Sequence, residues 1–167
     1  HPDWRIAIWD RSSVGGATTR NAGFACFGSP SELMEDWNML GREATVRLVR
    51  MRWEGLRALR SRWGDSALGY RPCGAVEAFV DPELMARCLA MLPEINEALS
   101  DVFERAPFDV QSPGTGLRNL CASIASPLEG DLDTSKLASA LSEALHANTI
   151  RSLLGVEVRG LEQCGNG

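Results

Sequence analysis

The chain has 167 residues, of which 44% are hydrophobic and 23% charged, and its formal net charge is −5 at pH 7. These are ordinary globular values, and they argue against a disordered, collagen-like or coiled-coil chain. The acidic balance argues against a dedicated nucleic-acid-binding protein. No apolar run reaches the roughly 18 residues that a membrane-spanning helix needs. The length fits one domain or a piece of a larger protein.

The cysteine content predicts free thiols. The chain has five cysteines, an odd number, and no two of them form a Cys-x-x-Cys pair. This pattern argues against a disulfide framework and favours a reducing compartment such as the cytoplasm. His1 and His146 are far apart and are not spaced with any cysteine pair, so a zinc site is not predicted.

Both ends of the sequence resemble the middle of a fold. Residues 4–9 alternate apolar with other side chains, which is typical of a strand. The last two residues, Asn166-Gly167, form a hairpin-turn signal with no returning strand after it. We therefore expect an internal fragment, or a chain trimmed at both ends.

A long amphipathic helix is predicted from Ser29 to about Trp63. Ser29-Pro30-Ser31-Glu32 combines a capping box with a proline at the first helical position. The other faces of this helix are rich in arginine. They predict either a solvated face that pairs with acids elsewhere in the fold, or a surface for a nucleic acid or another anion.

The remaining elements alternate between strands and helices. A helix is predicted from Asp133 to His146, with Leu137, Leu141 and Leu145 facing inward. The other predicted elements, in chain order, are a strand at 74–80, a helix that starts at Asp81-Pro82 and is broken or kinked at Pro93, a loop at 112–116, and strands at 119–125, 149–153 and 156–161. The mixture predicts an α/β or α+β fold.

The most informative segment follows the first predicted strand. That strand ends at Asp10-Arg11, and a carboxylate at the end of a strand can accept hydrogen bonds from ribose hydroxyls. A small-residue block follows, in which glycines allow close approach of the backbone to a ligand. Thr18, Thr19 and Arg20 offer hydroxyls and a fixed cation, a suitable set for a pyrophosphate.

The block Gly16-Ala17-Thr18-Thr19-Arg20-Asn21-Ala22-Gly23 resembles a segment of the amino-acid-oxidase-type family of FAD-dependent oxidoreductases, which includes glycine oxidase and sarcosine oxidase. A second match, Gly130-Asp131-Leu132-Asp133-Thr134, is followed by a helix and by Gly155-Val156-Glu157-Val158. The two matches have the family's order and spacing, so the resemblance extends over nearly the whole chain.

This resemblance implies FAD as the cofactor and a set of residues that contact it. Asp10, with Arg11 beside it, is expected at the adenosine ribose, and the backbone of Val158 at the adenine. The other expected contacts are Thr18 and Thr19 near the pyrophosphate and ribityl chain, Ala22, Gly23 and Phe24 along the isoalloxazine ring, and Arg20 and Asn21 as additional contacts. From the residues alone, Asp10 also fits a solvated strand-end or cap acid, and Val158 a core strand residue.

The resemblance also implies the architecture. We expect an α/β fold with a partial FAD-binding Rossmann-like domain of the glutathione-reductase type and part of an α+β substrate domain. The expected boundaries are 1–63 for the FAD-binding part with the long helix, 64–128 for the substrate domain, and 129–167 for the return to the FAD-binding part. The family's Gly-x-Gly-x-x-Gly turn and its C-terminal part have no counterpart in this sequence.

The implied activity is oxidation of the C–N bond of an amine or amino acid, with hydride transfer to flavin. No catalytic side chain is identified. The alternative from a different class is a non-catalytic fragment or binding module that uses the arginine-rich helix and does not bind FAD alone. A flavin enzyme of another reaction type is a third possibility, since a fold does not fix the chemistry.

Four other sets of residues are candidates for catalytic or attachment sites, and none of them is predicted to have that role. Glu129 and Asp131 resemble a carboxylate pair but are expected to be solvated loop residues. Cys26 is a conceivable flavin attachment point, yet a small buried hydrophobic role is favoured. His146 fits a contact with a helix C-terminus. No serine stands in a Gly-x-Ser-x-Gly context, so a serine hydrolase is not predicted.

Overall fold

The computed structural model describes residues 4–12, 16, 20–111 and 119–162. The chain divides into two compact units. The terminal unit comprises His1–Ala22 and Asp133–Gly167, and the central unit comprises Gly23–Leu132. The assignment of FAD-binding and substrate domains to parts of the chain stays a prediction.

A parallel strand pair forms the centre of the terminal unit. Strand β1 (Ala7–Asp10) pairs with strand β7 (Arg151–Leu154), and Asp10 stands opposite Leu154. Helix α5 (Thr134–Ala147) precedes β7 and contacts it. Parallel strands are usually buried on both faces. Here most of the side chains of the pair are exposed, and they include Ile8, Trp9 and Leu153.

Helix α5 begins where the sequence predicts. The Asp133 carboxylate accepts hydrogen bonds from the backbone amides of Ser135 (2.9 Å) and Lys136 (3.1 Å), which are otherwise unsatisfied in the first turn. The predicted inward stripe is only partly correct. Ala140 is the buried residue of the helix, whereas Leu141 is 39% exposed.

The predicted strand at 156–161 is wrong. These residues have no regular secondary structure. Gly155 has a φ of +75° and turns the chain after β7. Val156 then donates its backbone N–H to the Asp10 carbonyl (3.1 Å), which ties the start of this segment to the end of β1. Alternating apolar residues form a strand only where a neighbouring strand pairs with them, and none among the described residues does so here.

The central unit packs helices against a three-stranded antiparallel sheet. Strand β5 (Ala122–Ser126) is the middle strand, between β3 (Ala75–Phe79) and β4 (Asp109–Gln111). The helices are α1 (Pro30–Leu40), α2 (Arg42–Trp63), the short α3 (Asp65–Leu68) and α4 (Pro82–Phe103). A separate antiparallel pair joins β2 (Phe24–Ala25) to β6 (Gly130–Asp131).

The predicted long helix is two helices. The glutamate half of the capping box is present, because the Ser29 backbone amide donates to the Glu32 carboxylate (3.1 Å). Helix α1 ends at Leu40 because Gly41 has a φ of +82°, which L-residues rarely adopt. Helix α2 starts at once and ends before Gly64, as the sequence predicts.

Helix α4 continues through Pro93. Asp81 caps it by accepting from the backbone amides of Glu83 (2.8 Å) and Leu84 (3.3 Å). A proline removes one hydrogen bond from a helix interior. The helix nevertheless continues, because its apolar face is buried on both sides of the proline, at Leu92, Ile95 and Leu99. Of the two predicted alternatives at Leu92-Pro93, the break is therefore wrong, and the kink stays a prediction.

The core of the central unit is built around Phe27. Its ring centroid lies 4.4 Å from that of Phe103, 5.7 Å from Phe108 and 6.3 Å from Trp53. Leu33 and Val49 from the first two helices are fully buried in the same cluster. Among the described residues, no helix is long and apolar enough to cross a membrane.

Candidate cofactor site

Asp10 lies at the carboxyl end of a parallel strand, which is where open α/β sheets bind their ligands. Its side chain is half-buried, and Oδ1 accepts a hydrogen bond from the backbone amide of Ser12 (2.8 Å). This local bond is what the cap-acid interpretation predicts. A carboxylate has about four acceptor sites, so the bond to Ser12 is compatible with further hydrogen bonds to a ligand.

Val158 belongs to the segment that begins at the same end of β1. The Val156 amide is bonded to the Asp10 carbonyl, and Val158 follows two residues later. Val158 is 50% exposed and lies outside any strand, so its interpretation as a core strand residue is wrong. The tertiary structure of the terminal unit thus bonds Val156 to Asp10, a residue 146 positions away in the sequence.

The structure describes some, but not all, of the expected cofactor contacts between residues 11 and 22. Thr18 and Thr19 lie outside the described residues. Arg11, Arg20, Asn21 and Ala22 are exposed. Exposure is what a ligand-contacting segment requires, but the structure gives these side chains no arrangement that by itself identifies a pyrophosphate site.

Gly23 and Phe24 begin the central unit with a constrained backbone. Gly23 is buried with a φ of +76°, and its carbonyl accepts from the Leu132 amide (2.8 Å). Phe24 stands opposite Asp131 in the β2–β6 pair. Its side chain is nevertheless 76% exposed, which is unusual for a phenylalanine. The backbone is therefore fixed while an aromatic ring remains available at the surface.

Glu129 is not a solvated loop residue, so the prediction made for it is wrong. It is only 4% exposed, and its Oε1 accepts a hydrogen bond from the Phe27 backbone amide (3.0 Å). Burial raises the pKa of this carboxyl group above its ordinary value and is the largest effect. Hydrogen bonds from the Phe27 and Gly28 backbone amides lower the pKa, while the nearby charges of Glu32 and Glu77 raise it further. Sequence reasoning missed this residue because its partner is 102 positions away.

A cavity of about 380 Å³ lies in the central unit, and Phe24 and Glu129 are among the residues that line it. Phe24, Pro30 and Ile124 contribute apolar walls. The carboxylates on its lining are already engaged, with Glu77 bonded to Ser31 and Asp131 bonded to the Arg71 guanidinium (2.8 Å). Among the described residues, no group of histidine, cysteine, aspartate and glutamate side chains is arranged to hold a metal ion.

Cys26 lines this cavity and is exposed, which corrects the prediction that it is a buried hydrophobic residue. Partial burial of the thiol and the charge of Glu129 raise its pKa, so the thiol form is favoured over the reactive thiolate. His146 lies in the last turn of α5, as predicted.

Four of the seven arginines of α2 pair with acids in the described part of the chain. Arg42 lies 3.8 Å from Glu94, Arg47 lies 3.7 Å from Glu43, Arg52 lies 3.9 Å from Asp36, and Arg60 lies 2.7 Å from Asp65. These contacts favour the interpretation of the helix as a solvated face with acidic partners over that of a surface for an anionic ligand.

Residues 2–167 match the protein family described as FAD dependent oxidoreductase. The chain belongs to this family. The match confirms the resemblance that the small-residue block and the Gly130–Thr134 segment carry. The family is FAD-dependent, which confirms FAD as the cofactor. No curated protein sequence matches the chain significantly.

Three solved structures share the fold. L-Amino acid deaminase from Proteus myxofaciens, in complex with anthranilate, has a TM-score of 0.61 at 17% identity, covering 96% of this chain and 35% of its own. Iminodiacetate oxidase from Chelativorans sp. BNC1 has a TM-score of 0.58 at 21% identity, covering 91% and 41%. Glycine oxidase from Geobacillus kaustophilus has a TM-score of 0.55 at 20% identity, covering 92% and 41%.

These similarities confirm the predicted fold class, a partial flavoprotein fold of mixed helices and strands. The chain spans well under half the length of each of these three proteins.

Proposed function

We propose that this chain forms part of an FAD-dependent oxidoreductase that oxidises the C–N bond of an amine or amino acid. The observation that carries the proposal is the position of Asp10 at the carboxyl end of β1, with Val156 bonded to its carbonyl. The family match over residues 2–167 supports the cofactor. The three similar structures are of enzymes named for an amino acid or amine substrate, which supports an amine or amino acid as the substrate class here.

The residues of the terminal unit fit an adenosine group. Asp10 retains acceptor capacity beyond its bond to Ser12, which suits the two hydroxyls of a ribose. Val158 is exposed and lies outside any strand, so its backbone groups are available to the edge of an adenine. We assign Asp10, with Arg11 beside it, to the ribose and the backbone of Val158 to the adenine.

The residues that follow suit the rest of the cofactor. Ala22, Gly23 and Phe24 are assigned to the isoalloxazine ring, since small residues and a fixed backbone let a flat ring lie close to the chain. Thr18 and Thr19 are assigned to the pyrophosphate and ribityl chain on the family resemblance. Arg20 and Asn21 are exposed and are assigned as additional contacts.

Bound flavin accepts a hydride from the substrate C–H bond, and the protein binds and orients the reactants. In this proposal Asp10 and Val158 hold the adenosine end, and the Gly23–Phe24 segment fixes the plane of the ring. Residues 1–63 and 129–167 are proposed as FAD-binding and residues 64–128 as substrate-binding.

An absorption titration of the purified chain with FAD tests the proposal. We expect a saturable shift of the visible flavin bands. Thr19→Glu and Arg20→Glu should abolish it by placing a negative charge near the phosphates. Arg47→Glu, the same charge reversal on an exposed face of α2, should leave it unchanged.

A chain that is folded by circular dichroism but gives no band shift would contradict the proposal for this chain. It would favour the alternative of a non-catalytic module. Equal loss in the Arg20 and Arg47 variants would also contradict it, because the effect would then come from net charge and not from the block.

A further inference from the structure

We propose that Glu129 is a positioning residue for Gly23 and Phe24, which we call the flavin-ring segment. Its carboxylate and the guanidinium of Arg52 hold the two polar groups of Phe27, and through them they set the position of Gly23 and Phe24. The role in flavin binding rests on the proposed function. The clamp itself is a property of the central unit.

The two bonds engage both the N–H and the C=O of Phe27. The Phe27 amide donates to Glu129 Oε1 (3.0 Å), and Arg52 Nη1 donates to the Phe27 carbonyl (3.1 Å). The Phe27 ring is anchored at the same time in the aromatic cluster with Phe103. Backbone and side chain of Phe27 are therefore fixed from three directions, by residues from distant parts of the sequence.

Burial makes the carboxylate bond significant. Glu129 is 4% exposed and Phe27 is 1% exposed, so water does not compete well for either group. A buried carboxylate is unfavourable unless donors satisfy it. Hydrogen bonds to an ionised acceptor are about twice as strong as those between neutral groups. Glu129 takes part in no ion pair among the described residues, so backbone amides provide its stabilisation.

The segment after Glu129 transmits this position to Gly23 and Phe24. Residues 130 and 131 pair with β2, so that Gly130 stands opposite Ala25 and Asp131 opposite Phe24 of the flavin-ring segment. The Leu132 amide then donates to the Gly23 carbonyl (2.8 Å). On its other side, the Glu129 carbonyl accepts from the Gly74 amide (2.9 Å) just before β3. Residues 129–132 are therefore bonded on one side to Gly74, just before β3, and on the other side to residues 23–27. A change in their position would move Gly23 and Phe24.

Two variants test the clamp from its two sides. Glu129→Gln keeps the shape of the side chain but removes the charge and one acceptor oxygen, and Arg52→Gln removes the charged guanidinium donor on the other side and shortens the side chain. Glu97→Gln makes the same chemical change on an exposed face of α4 and is the matched control. The first readout is hydrogen exchange of individual backbone amides in the full chain, which needs no cofactor.

The glutamine oxygen still accepts from the Phe27 amide but carries no charge, so the bond is weaker, and we expect Glu129→Gln to speed exchange of the Phe27 and Ala25 amides several-fold, with core amides of α4 unchanged. Arg52→Gln should speed the same amides by a smaller factor, and Glu97→Gln should change none. If Glu129→Gln does not fold, Arg52→Gln decides the question. Unchanged exchange at Phe27 in the folded clamp variants would overturn the inference.

The second readout is FAD titration of the same proteins. We expect Glu129→Gln to raise the Kd for FAD about tenfold and to alter the shape of the visible band, a change that loss of stability alone does not produce. Equal FAD affinity and spectrum in wild type and Glu129→Gln would overturn the positioning role while leaving the proposed function intact. A folded wild-type chain that does not bind FAD would overturn the proposed function and the flavin role together, and the exchange data would still decide the clamp.

Discussion

The α-carbon of Gly130 packs against the backbone of Arg71, so that a Cβ at residue 130 would overlap the Arg71 carbonyl oxygen. This contact is part of an antiparallel bridge in which the Arg71 amide donates to the Asp131 carbonyl (2.9 Å) and the Asp131 amide donates back (3.1 Å). Only glycine allows so close an approach of two backbones at this point.

Gly130→Ala should therefore destabilise the central unit by about 1–3 kcal/mol, the usual cost of forcing extra volume into a packed site. Urea unfolding followed by circular dichroism measures the free energy of unfolding. Gly55→Ala is the control, because the space around Gly55 in α2 is open. It should stabilise the chain by about 0.5–1 kcal/mol through helix propensity. Equal effects of the two substitutions would contradict the packing argument.

Phe27 and Phe24 are three positions apart and should respond in opposite ways to truncation. Phe27→Ala should cost about 3–5 kcal/mol of stability, since the ring is 1% exposed and a cavity would remain. Phe24→Ala should change stability by less than about 0.5 kcal/mol, because its ring is mostly exposed. The proposed function adds that Phe24→Ala weakens FAD binding. A large stability loss at Phe24 would show that its ring packs on the protein.

The pH dependence of stability should change when Glu129 is neutralised. The folded-state pKa of Glu129 lies above its ordinary value, chiefly because the group is buried. Such a group contributes stability that is fully present below the unfolded pKa and is lost as pH rises through the folded pKa. Wild type should therefore lose stability relative to Glu129→Gln as pH increases from about 4.5, the unfolded value for glutamate.

Thermal unfolding of both proteins between pH 4 and pH 8 measures this difference. The carboxylates of Asp65 and Asp131, whose pKa values Arg60 and Arg71 lower, act in the opposite direction but equally in both proteins. Parallel curves for wild type and variant would contradict the raised pKa.

Asp10→Asn should weaken FAD binding about tenfold, since hydrogen bonds to a charged group contribute roughly 1.5–3 kcal/mol. The asparagine oxygen still accepts from the Ser12 amide, so the turn after β1 is expected to persist. FMN provides the control ligand because it lacks the adenosine ribose, and its affinity should not change. An equal loss for FMN and FAD would indicate a general structural effect and would remove Asp10 from the ribose site.

Local sequence determined where most helices begin. Asp81, Asp133 and Glu32 each bond to amides within three residues of themselves, so the signal and the structure lie in the same short segment. The small-residue block and the Gly130–Thr134 segment together indicated the family, because each is a contiguous motif in the sequence. They did not yield the arrangement of the site, since the segment that contains Val158 is tied to Asp10 only through the pairing of β1 with β7 and the bond from the Val156 amide.

Tertiary contacts decided the features that local patterns misjudged. Helix α4 passes through Pro93 because burial of its apolar face outweighs one lost hydrogen bond, while residues 156–161 alternate like a strand but have no strand beside them in the described part of the chain. Glu129 reads as a solvated loop acid until the fold places it against the Phe27 amide. A cap depends on neighbours in sequence, whereas the environment of a carboxylate depends on which distant segments surround it.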